Sequence, residues 1–321
     1  MTIVNVHIAV IGNGRIGRPT AYSILNERLA DEISLVDLKP DLAWAFGEEL
    51  RHASASLKYD VKINTYDVDE AVTDADVIVV CIGKPRLPGE KISRRDLVGQ
   101  NAEIICHLAR CMTPCNPKAK WVVVTNPVDA MATLFKRLTG LDYVIGTGDH
   151  ADTLRLRTKL AMDLDVPVSK VEGFVGGEHG SAAHVLWSTV KIEGVPIDEY
   201  LEDSRKELDR EDVTNYVRGV SERILNAIGA TEYGPAAGFR DIIRSIVQNR
   251  GEIYSVAVSR KFSEIPESVN VNVPIHVGQH LGPSIWDDLT GDEQENIIDA
   301  ARAIYDNYRV GLDAVEGKQD V

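Results

Sequence analysis

The chain lacks the features of a membrane or secreted protein. No apolar run approaches the roughly 20 residues that a membrane-spanning helix needs; the best are VIVVCIG and WVVV. The N-terminal segment MTIVNVHIAVIGNG has no basic lead-in and no small-residue cleavage site, so it is typical of a first strand rather than a signal peptide. We therefore expect a soluble, cytoplasmic protein that does not bind membranes.

Positive charge is also scarce, because 35 lysine and arginine residues stand against 49 aspartate and glutamate residues. The formal net charge is -14, and a diffuse negative surface repels phosphate groups, so we expect no nucleic-acid partner. Apolar residues still make up 44% of the chain, which is enough for a core and too much for a disordered protein. A length of 321 residues favours one large or two medium domains.

Cysteine occurs four times, and Cys81 lies in a strand-like run. The other three, Cys106, Cys111 and Cys115, lie in CHLARCMTPC beside His107, which raises a metal site as one interpretation. Their spacing matches none of the usual zinc patterns. We therefore expect no metal, and reduced thiols on or near a helix in a reducing compartment.

The first half of the chain alternates β-branched runs with helical patterns. Strands are predicted at Ile3–Ile11, Ile33–Asp37, Val61–Asn64, Val77–Ile82, Trp121–Thr125 and Tyr143–Gly146. Helices are predicted at Arg15–Leu29, Asp41–Ser56, Asn101–Met112 and Val128–Leu138. This alternation is typical of an α/β fold with a parallel sheet covered on both faces, so residues 1–147 are predicted to form a doubly wound Rossmann domain.

After about Thr147 the pattern changes, and an α+β domain over residues 148–321 is predicted. Helices are expected at Ala151–Leu164, around Glu202–Ile228 and at Pro235–Asn249. VLWSTVKIEGVPI is strand-like, and YSVAVSRKF and VNVNVPIHVG alternate like antiparallel strands. A final helix is predicted after Thr290 and Glu293, which have capping-box spacing, and its apolar stripe is Ile297, Ile298, Ala301, Ile304 and Tyr308.

The segment IAVIGNGRIG has the G-x-G-x-x-G spacing of a dinucleotide-binding loop. Gly12 permits the tight turn, Gly14 lets the backbone approach a pyrophosphate, and Gly17 allows close helix–strand packing. Asp37 follows Gly17 by 20 residues at the end of the second strand, where a carboxylate accepts hydrogen bonds from a ribose 2′-hydroxyl and repels a 2′-phosphate. The loop therefore predicts NAD(H) rather than NADP(H). A Rossmann domain that has lost its ligand would leave the spacing and the carboxylate unexplained.

One irregular segment, GKPRLPGEKISRRDL at residues 83–97, concentrates positive charge in this acidic chain. Its basic residues are Lys84, Arg86, Lys91, Arg94 and Arg95. Two glycines and two prolines argue against a helix or a central strand. We expect a lid that closes over an anionic substrate; the alternative is a solvated basic turn.

Three further motifs carry polar residues, none decisive alone. Asp152 and Arg155 in GTGDHADTLRLR share a helix face. The alternative interpretation of this pair is a surface ion pair that contributes ~0–1 kcal/mol. His179 in GGEHGS lies between small residues, either beside a cleft or as a structural histidine. Asn126 in VTNPVD follows the fifth strand, at the sheet edge where ligands bind, or simply forms an Asn-Pro turn.

Taken together and in this order, the motifs resemble the lactate/malate dehydrogenase family of 2-hydroxy-acid dehydrogenases. The resemblance runs from the first strand to the C-terminal helix and includes GATEYGP and VNVPIHVGQHLGPSIWDDLTGDEQ. It implies a reversible hydride transfer between NAD and a 2-hydroxy acid. It also implies a homodimer or homotetramer and, for malate-specific members, a place in the tricarboxylic acid cycle.

The resemblance assigns roles to individual residues. His179 would be the acid/base, Asp152 would orient it, and Arg94 would polarise the substrate carbonyl. The remaining substrate contacts would come from Arg155, Asn126, Thr231 and Arg86. The implied cofactor-binding set is Gly12, Asn13, Gly14, Arg15, Ile16, Gly17, Asp37, Gly83, Asn101, Thr125 and Asn126. The chemistry agrees, because histidine titrates near neutral pH and arginine binds carboxylates with a planar fork.

The basic segment departs from the family pattern. Arg86 precedes Arg94 by eight positions, against six in the usual malate-type form, which leaves open whether Arg86, Lys84 or Lys91 faces the substrate. If Arg86 does, we expect (S)-malate and oxaloacetate, because leaving such a charge buried and unpaired costs ~3–5 kcal/mol. Alternatives are lactate, 2-hydroxyisocaproate or a sulfonated analogue. More distant ones are a metal-dependent NAD glycosidase, for which we find no Cys–His pair near His179, and a non-catalytic NAD-binding protein.

Overall fold

A computed structural model describes residues 5–84 and 94–317, with the side chains of Glu70 and residues 94–96 excepted. The first half contains six parallel strands: β1 (His7–Ile11), β2 (Glu32–Val36), β3 (Lys62–Tyr66), β4 (Val77–Val80), β5 (Lys120–Val123) and β6 (Val144–Gly146). Their order is β3-β2-β1-β4-β5-β6. This is the doubly wound order, whose reversal between β1 and β4 forms a ligand-binding crevice. The predicted Rossmann fold is confirmed.

Four helices cover this part of the sheet: α1 (Gly17–Asn26), α2 (Leu42–Leu57), α3 (Arg94–Cys111) and α4 (Val128–Thr139). Alternate strand residues enter two hydrophobic clusters, one on each face. Val10, Val79 and Val122 lie in one cluster, whereas Ala9, Ile78 and Trp121 lie in the other. Burial on both faces explains why β1, β4 and β5 are almost entirely apolar.

The second half adds five helices and six strands in the described ranges. The helices are α5 (Gly148–Leu164), α6 (Ile197–Ser204), α7 (Arg210–Ile228), α8 (Tyr233–Gln248) and α9 (Gly291–Glu316). The strands are β7 (Val171–Gly177), β8 (Ala183–Ile192), β9 (Val195–Pro196), β10 (Glu252–Arg260), β11 (Val269–Val277) and β12 (Leu281–Ser284). All second-half pairings are antiparallel, which confirms the expected α+β character.

Some boundaries differ from the sequence-based expectation. α3 begins at Arg94, before the expected start at Asn101 and inside the segment 83–97, whose composition argued against a helix. The helix expected around Glu202–Ile228 is divided into α6 and α7, because Asp209 caps a new helix by accepting from the backbone N–H groups of Glu211 and Asp212. β7 and β12 were not predicted. The capping box of Thr290 and Glu293 is present at the start of α9, as predicted.

One sheet runs through both halves, because Gly146 at the end of β6 pairs with Ala257 of β10. The C-terminal helix α9 crosses back to the first half, where its Tyr308 and Leu312 share a buried cluster with Val98 and Ala102 of α3. The expected division after residue 147 therefore falls inside a continuous sheet and stays a prediction. No helix among the described residues is long and apolar enough to cross a membrane.

Candidate active site

The glycine loop closes tightly against the sheet at two of its three glycines. A Cβ on Gly12 would lie 2.7 Å from the backbone nitrogen of Ile82, and Gly12 has φ +91°. A Cβ on Gly17 would lie 1.8 Å from the carbonyl oxygen of Gly12. A Cβ on Gly14 would meet no described atom within 4 Å. Gly14 thus marks the open approach to the start of α1, where a pyrophosphate fits.

Asp37 and Asn13 form the adjacent part of this crevice. Asp37 Oδ2 accepts a hydrogen bond from the backbone N–H of Asn13 at 2.8 Å, and its Oδ1 accepts one from Lys39 N–H at 2.9 Å. The Asn13 side chain is fully buried, yet neither its Oδ1 nor its Nδ2 finds a hydrogen-bond partner among the described residues. Buried amides without partners are rare. The two amide atoms of Asn13 therefore fit a polar ligand such as the ribose and phosphates of NAD.

Arg15 extends from the glycine loop, next to Ile16 at the start of α1, toward the segment between α7 and α8. Its Nε lies 3.9 Å from Glu232 Oε1, and its guanidinium occupies the space beside Gly229. Thr231 belongs to this segment and is half-buried. The second half of the chain therefore reaches the rim of the cofactor crevice.

Asn101 connects the ends of β4 and β5 at the far side of the crevice. Its Oδ1 accepts a hydrogen bond from the backbone N–H of Lys84 at 2.8 Å, and its Nδ2 donates to the carbonyl oxygen of Asn126 at 2.7 Å. Gly83 packs against Thr125, because a Cβ there would lie 3.0 Å from Thr125 Cγ2. These four residues of the expected cofactor set meet at the carboxyl edge of the sheet, where ligands of such folds bind.

His179 and Asp152 lie side by side although they are 27 positions apart in the chain. Asp152 is on α5, His179 follows β7, and His179 Nδ1 lies 2.7 Å from Asp152 Oδ2. The ring packs on bare backbone, since a Cβ on Gly148 would lie 2.2 Å from His179 Cβ. Asp152 thereby fixes the orientation of the imidazole and leaves Nε2 for a substrate.

The electrostatics of this pair favour a charged histidine. Burial by itself lowers the pKa of His179, but the negative charge of Asp152 and the hydrogen bond to it outweigh burial and raise the pKa above its ordinary value. Burial likewise opposes ionisation of Asp152, yet His179 and then Arg155 lower its pKa overall. An imidazole that binds its proton more tightly than usual suits a general acid/base.

Two buried acids behind His179 were missed by sequence reasoning. Asp129, on the first turn of α4, accepts hydrogen bonds from His179 N–H at 2.7 Å and Asn272 Nδ2 at 2.9 Å. Burial raises the pKa of Asp129 to about 7 despite these bonds. Asp149 Oδ1 lies 4.0 Å from His179 Nδ1. Burial and then the charges of Asp152 and Asp129 raise the pKa of Asp149 well above its ordinary value.

A sequence signal for both acids existed. Asp129 lies inside TNPVD. Asp149 precedes Asp152 by one helical turn in GTGDHADT, which places the carboxyl groups of Asp149 and Asp152 on one face of the helix. The sequence does not predict that Asn272 of β11 connects Asp129 to Asp149. The Asn272 side chain donates to Asp129 and accepts a hydrogen bond from the backbone N–H of Asp149 at 3.4 Å.

Arg155 also contacts Asp152, through one of its terminal nitrogens. Its side chain is largely buried, so its charge lies in the same enclosure as the His179–Asp152 pair. Arg86 and Lys91 lie outside the described residues. Arg94 is the first residue of α3, but its side chain lies outside the described part.

A dinucleotide-binding crevice in the first half of the chain, together with the His179–Asp152 pair in the second half, is typical of a nicotinamide-dependent dehydrogenase. The chain belongs to the lactate/malate dehydrogenase family. Residues 6–144 match the family's NAD binding domain, and residues 150–313 match its alpha/beta C-terminal domain.

Both malate dehydrogenases and lactate dehydrogenases are similar to this chain. A malate dehydrogenase of Sulfurisphaera tokodaii is 39% identical over 310 residues, covering 96% of this chain and 97% of the relative. A malate dehydrogenase of Sulfolobus acidocaldarius is 37% identical over 312 residues, covering 97% and 98%. The crystal structure of a lactate dehydrogenase from a Medee basin deep-sea metagenome library superposes with a TM-score of 0.88 at 26% identity, covering 96% of this chain and 99% of that one.

Proposed function

We propose that this protein is an NAD-dependent malate dehydrogenase that interconverts (S)-malate and oxaloacetate. The observation that carries the choice of substrate is the similarity to two malate dehydrogenases, 37% and 39% identical over nearly the whole of each chain. The geometry that supports the chemistry is the buried His179–Asp152 pair, with Nδ1 and Oδ2 2.7 Å apart.

The proton is moved by His179. Its Nδ1 is held by Asp152, so Nε2 takes the hydroxyl proton of malate while the carbinol hydrogen leaves as hydride. NAD+, held at the open approach beside Gly14 and by Asp37, would supply the hydride acceptor. Asp152 stabilises the resulting imidazolium, and in the reverse direction His179 returns the proton to the oxaloacetate oxygen. Asp129 fixes the backbone of His179 and so holds the ring in place.

The substrate is held by its negative charges. Arg155 would bind the C1 carboxylate, because its side chain is charged and largely buried beside Asp152. Asn126 and Arg94 would contact the reacting oxygen, and Thr231 would line the pocket. Arg86 would pair with the second carboxylate, which distinguishes malate from lactate.

The test compares NADH and NADPH as reductants of oxaloacetate, in the wild type and in His179→Asn. We expect turnover with NADH and a loss of about 10²–10⁴-fold in the variant. A wild type that prefers NADPH would contradict the role of Asp37. A wild type that is silent with every 2-oxo acid would contradict the proposed activity.

The second candidate is a dehydrogenase of lactate or another 2-hydroxy acid. It is favoured by the two extra residues in the segment 83–97 and by the fold shared with a lactate dehydrogenase. Faster reduction of pyruvate or of a branched 2-oxo acid than of oxaloacetate would select it.

We also infer a cytoplasmic homodimer or homotetramer and, from the proposed substrate, a role in the tricarboxylic acid cycle. The apolar side chains of Trp44 on α2 and Leu38 just before it support an interface there, since both are more than half exposed. Mass measurement in solution, repeated on Trp44→Lys, tests the assembly.

A further inference from the structure

A second cluster of titratable side chains lies on α3, away from the catalytic pair. His107 and Cys111 are four residues apart on this helix and so share one face. The carboxylate of Asp69, from a single 3₁₀ turn after β3, meets this face. His107 Nε2 lies 3.1 Å from Asp69 Oδ2 and 3.6 Å from Cys111 Sγ. The donor atoms of all three residues lie within 4.8 Å of one another.

The arrangement matches the shape of a tetrahedral metal site. Zinc binds sulfur at about 2.3 Å and imidazole nitrogen or carboxylate oxygen at about 2.0–2.2 Å, which separates neighbouring ligand atoms by roughly 3.3–3.6 Å. The two distances at His107 Nε2 are close to this range. A neutral imidazole nitrogen has one proton or one lone pair, so it cannot bond fully to both neighbours. An ion in place of that proton would bind all three groups.

We propose that Asp69, His107 and Cys111 form a zinc-binding site whose fourth position is open to water. Zinc accepts each of these ligand types, and one thiolate with one carboxylate balances its charge. Binding replaces the thiol proton, so Zn²⁺ and Cys–SH give Zn–S and a released H⁺. Asp69 is 2% exposed and His107 is 53% exposed, so the ion enters from solvent on the histidine side.

The sequence alone predicted no metal site, since no usual zinc spacing is present in CHLARCMTPC. The third ligand comes from Asp69, 38 residues before His107, and no local spacing predicts it. Bound zinc would join the turn after β3 to α3. Because α3 begins at Arg94 and carries Asn101, the ion would stabilise the helix that contributes to the proposed active site.

The test is a titration of the metal-free full-length chain with Co²⁺, a spectroscopic substitute for Zn²⁺. A cobalt–thiolate bond gives a charge-transfer absorption in the near ultraviolet. We expect this band in the wild type, its loss on adding Zn²⁺, and its absence in Cys111→Ser. Cys115→Ser, a nearby thiol outside the cluster, is the matched control and should keep the band. His107→Ala should weaken Co²⁺ binding at least about tenfold.

Thermal unfolding gives a second readout that does not depend on enzymatic activity. Zn²⁺ should raise the Tm of the wild type and of Cys115→Ser, and leave that of Cys111→Ser unchanged. Absence of the band in the wild type would overturn the proposal. So would a band that persists in Cys111→Ser, which would mean adventitious binding elsewhere.

Discussion

His179 contacts two different carboxylates through two different atoms. Its backbone N–H donates to Asp129, and its ring Nδ1 bonds Asp152. The first contact fixes where the residue lies, and the second leaves Nε2 as the ring nitrogen that would face the substrate in the proposed mechanism. Sequence motifs indicate His179 and Asp152, but the contact with Asp129 joins residues 50 positions apart and depends on how the fold brings the start of α4 to the residue after β7.

Asp152→Asn should move the pH dependence of catalysis. Asp152 is what raises the pKa of His179 against the opposing effect of burial, so the variant's histidine loses its proton at lower pH. Reduction of oxaloacetate requires the protonated ring, so its rate falls as pH rises through the pKa of His179. We expect kcat/KM at neutral pH to drop about 10²–10⁴-fold, with the falling limb at lower pH than in the wild type.

The measurement is a pH profile of kcat/KM for oxaloacetate reduction. Asp163→Asn serves as the control, because Asp163 lies on the same helix and pairs with Lys159 at the surface. Its profile should match the wild type. A limb that stays in place in Asp152→Asn would contradict the assignment of Asp152.

Asp149→Asn should become progressively more stable than the wild type as pH rises. The raised pKa means that the folded state keeps a proton that the unfolded state has lost. The free energy of unfolding therefore falls with increasing pH above the ordinary aspartate range, by up to about 1.4 kcal/mol per pH unit, until the raised pKa is passed. The asparagine of the variant does not ionise, so its free energy of unfolding does not fall for this reason.

Denaturant unfolding of both proteins from pH 4.5 to 8 checks this prediction. Asp129, Asp152, Glu178 and His179 face the same enclosure and are present in both proteins. The exposed control Asp142→Asn should show no pH-dependent gain. An equal stability difference at all pH values would mean that Asp149 is ionised in the folded protein.

At the scale of elements, hydrophobic patterning predicted the Rossmann strands well, because all of them except β3 consist mainly of apolar residues. It missed β7, whose sequence VEGFVGG contains three glycines and so resembles a turn. The structure explains two of them. Gly173 and Gly177 have positive φ, and a Cβ on Gly177 would lie 2.6 Å from the carbonyl oxygen of Ala182. These glycines permit close approach within the sheet, which composition alone cannot reveal.

Two substitutions in the glycine loop should separate folding from cofactor binding. Gly17→Ala places a Cβ against the carbonyl of Gly12 and should lower stability by about 1–3 kcal/mol. Gly14→Ala meets no described atom within 4 Å, so it should fold normally but weaken NADH binding. Tm and the Kd for NADH, from fluorescence, measure the two effects. A Gly14→Ala variant that binds NADH normally would place the pyrophosphate elsewhere.

At the scale of the whole molecule, one sheet from β3 to β9 joins the strands of the cofactor crevice to β7, the strand that His179 follows. The sequence predicted both halves, but not that Asn272 of β11 would lie between Asp129 and Asp149. Because the net charge of the chain is -14, we expect an anionic substrate to be attracted to the basic segment 83–97. We therefore propose that substrate choice depends on Arg86 more than on any other single residue.

The most direct test is the ratio of kcat/KM for oxaloacetate to that for pyruvate, in the wild type, Arg86→Gln and the control Lys84→Gln. We predict a wild-type ratio of about a hundred or more, matching ~3–5 kcal/mol for an unpaired buried charge. The ratio should collapse in Arg86→Gln and persist in Lys84→Gln. A wild-type ratio below one would contradict malate as the substrate.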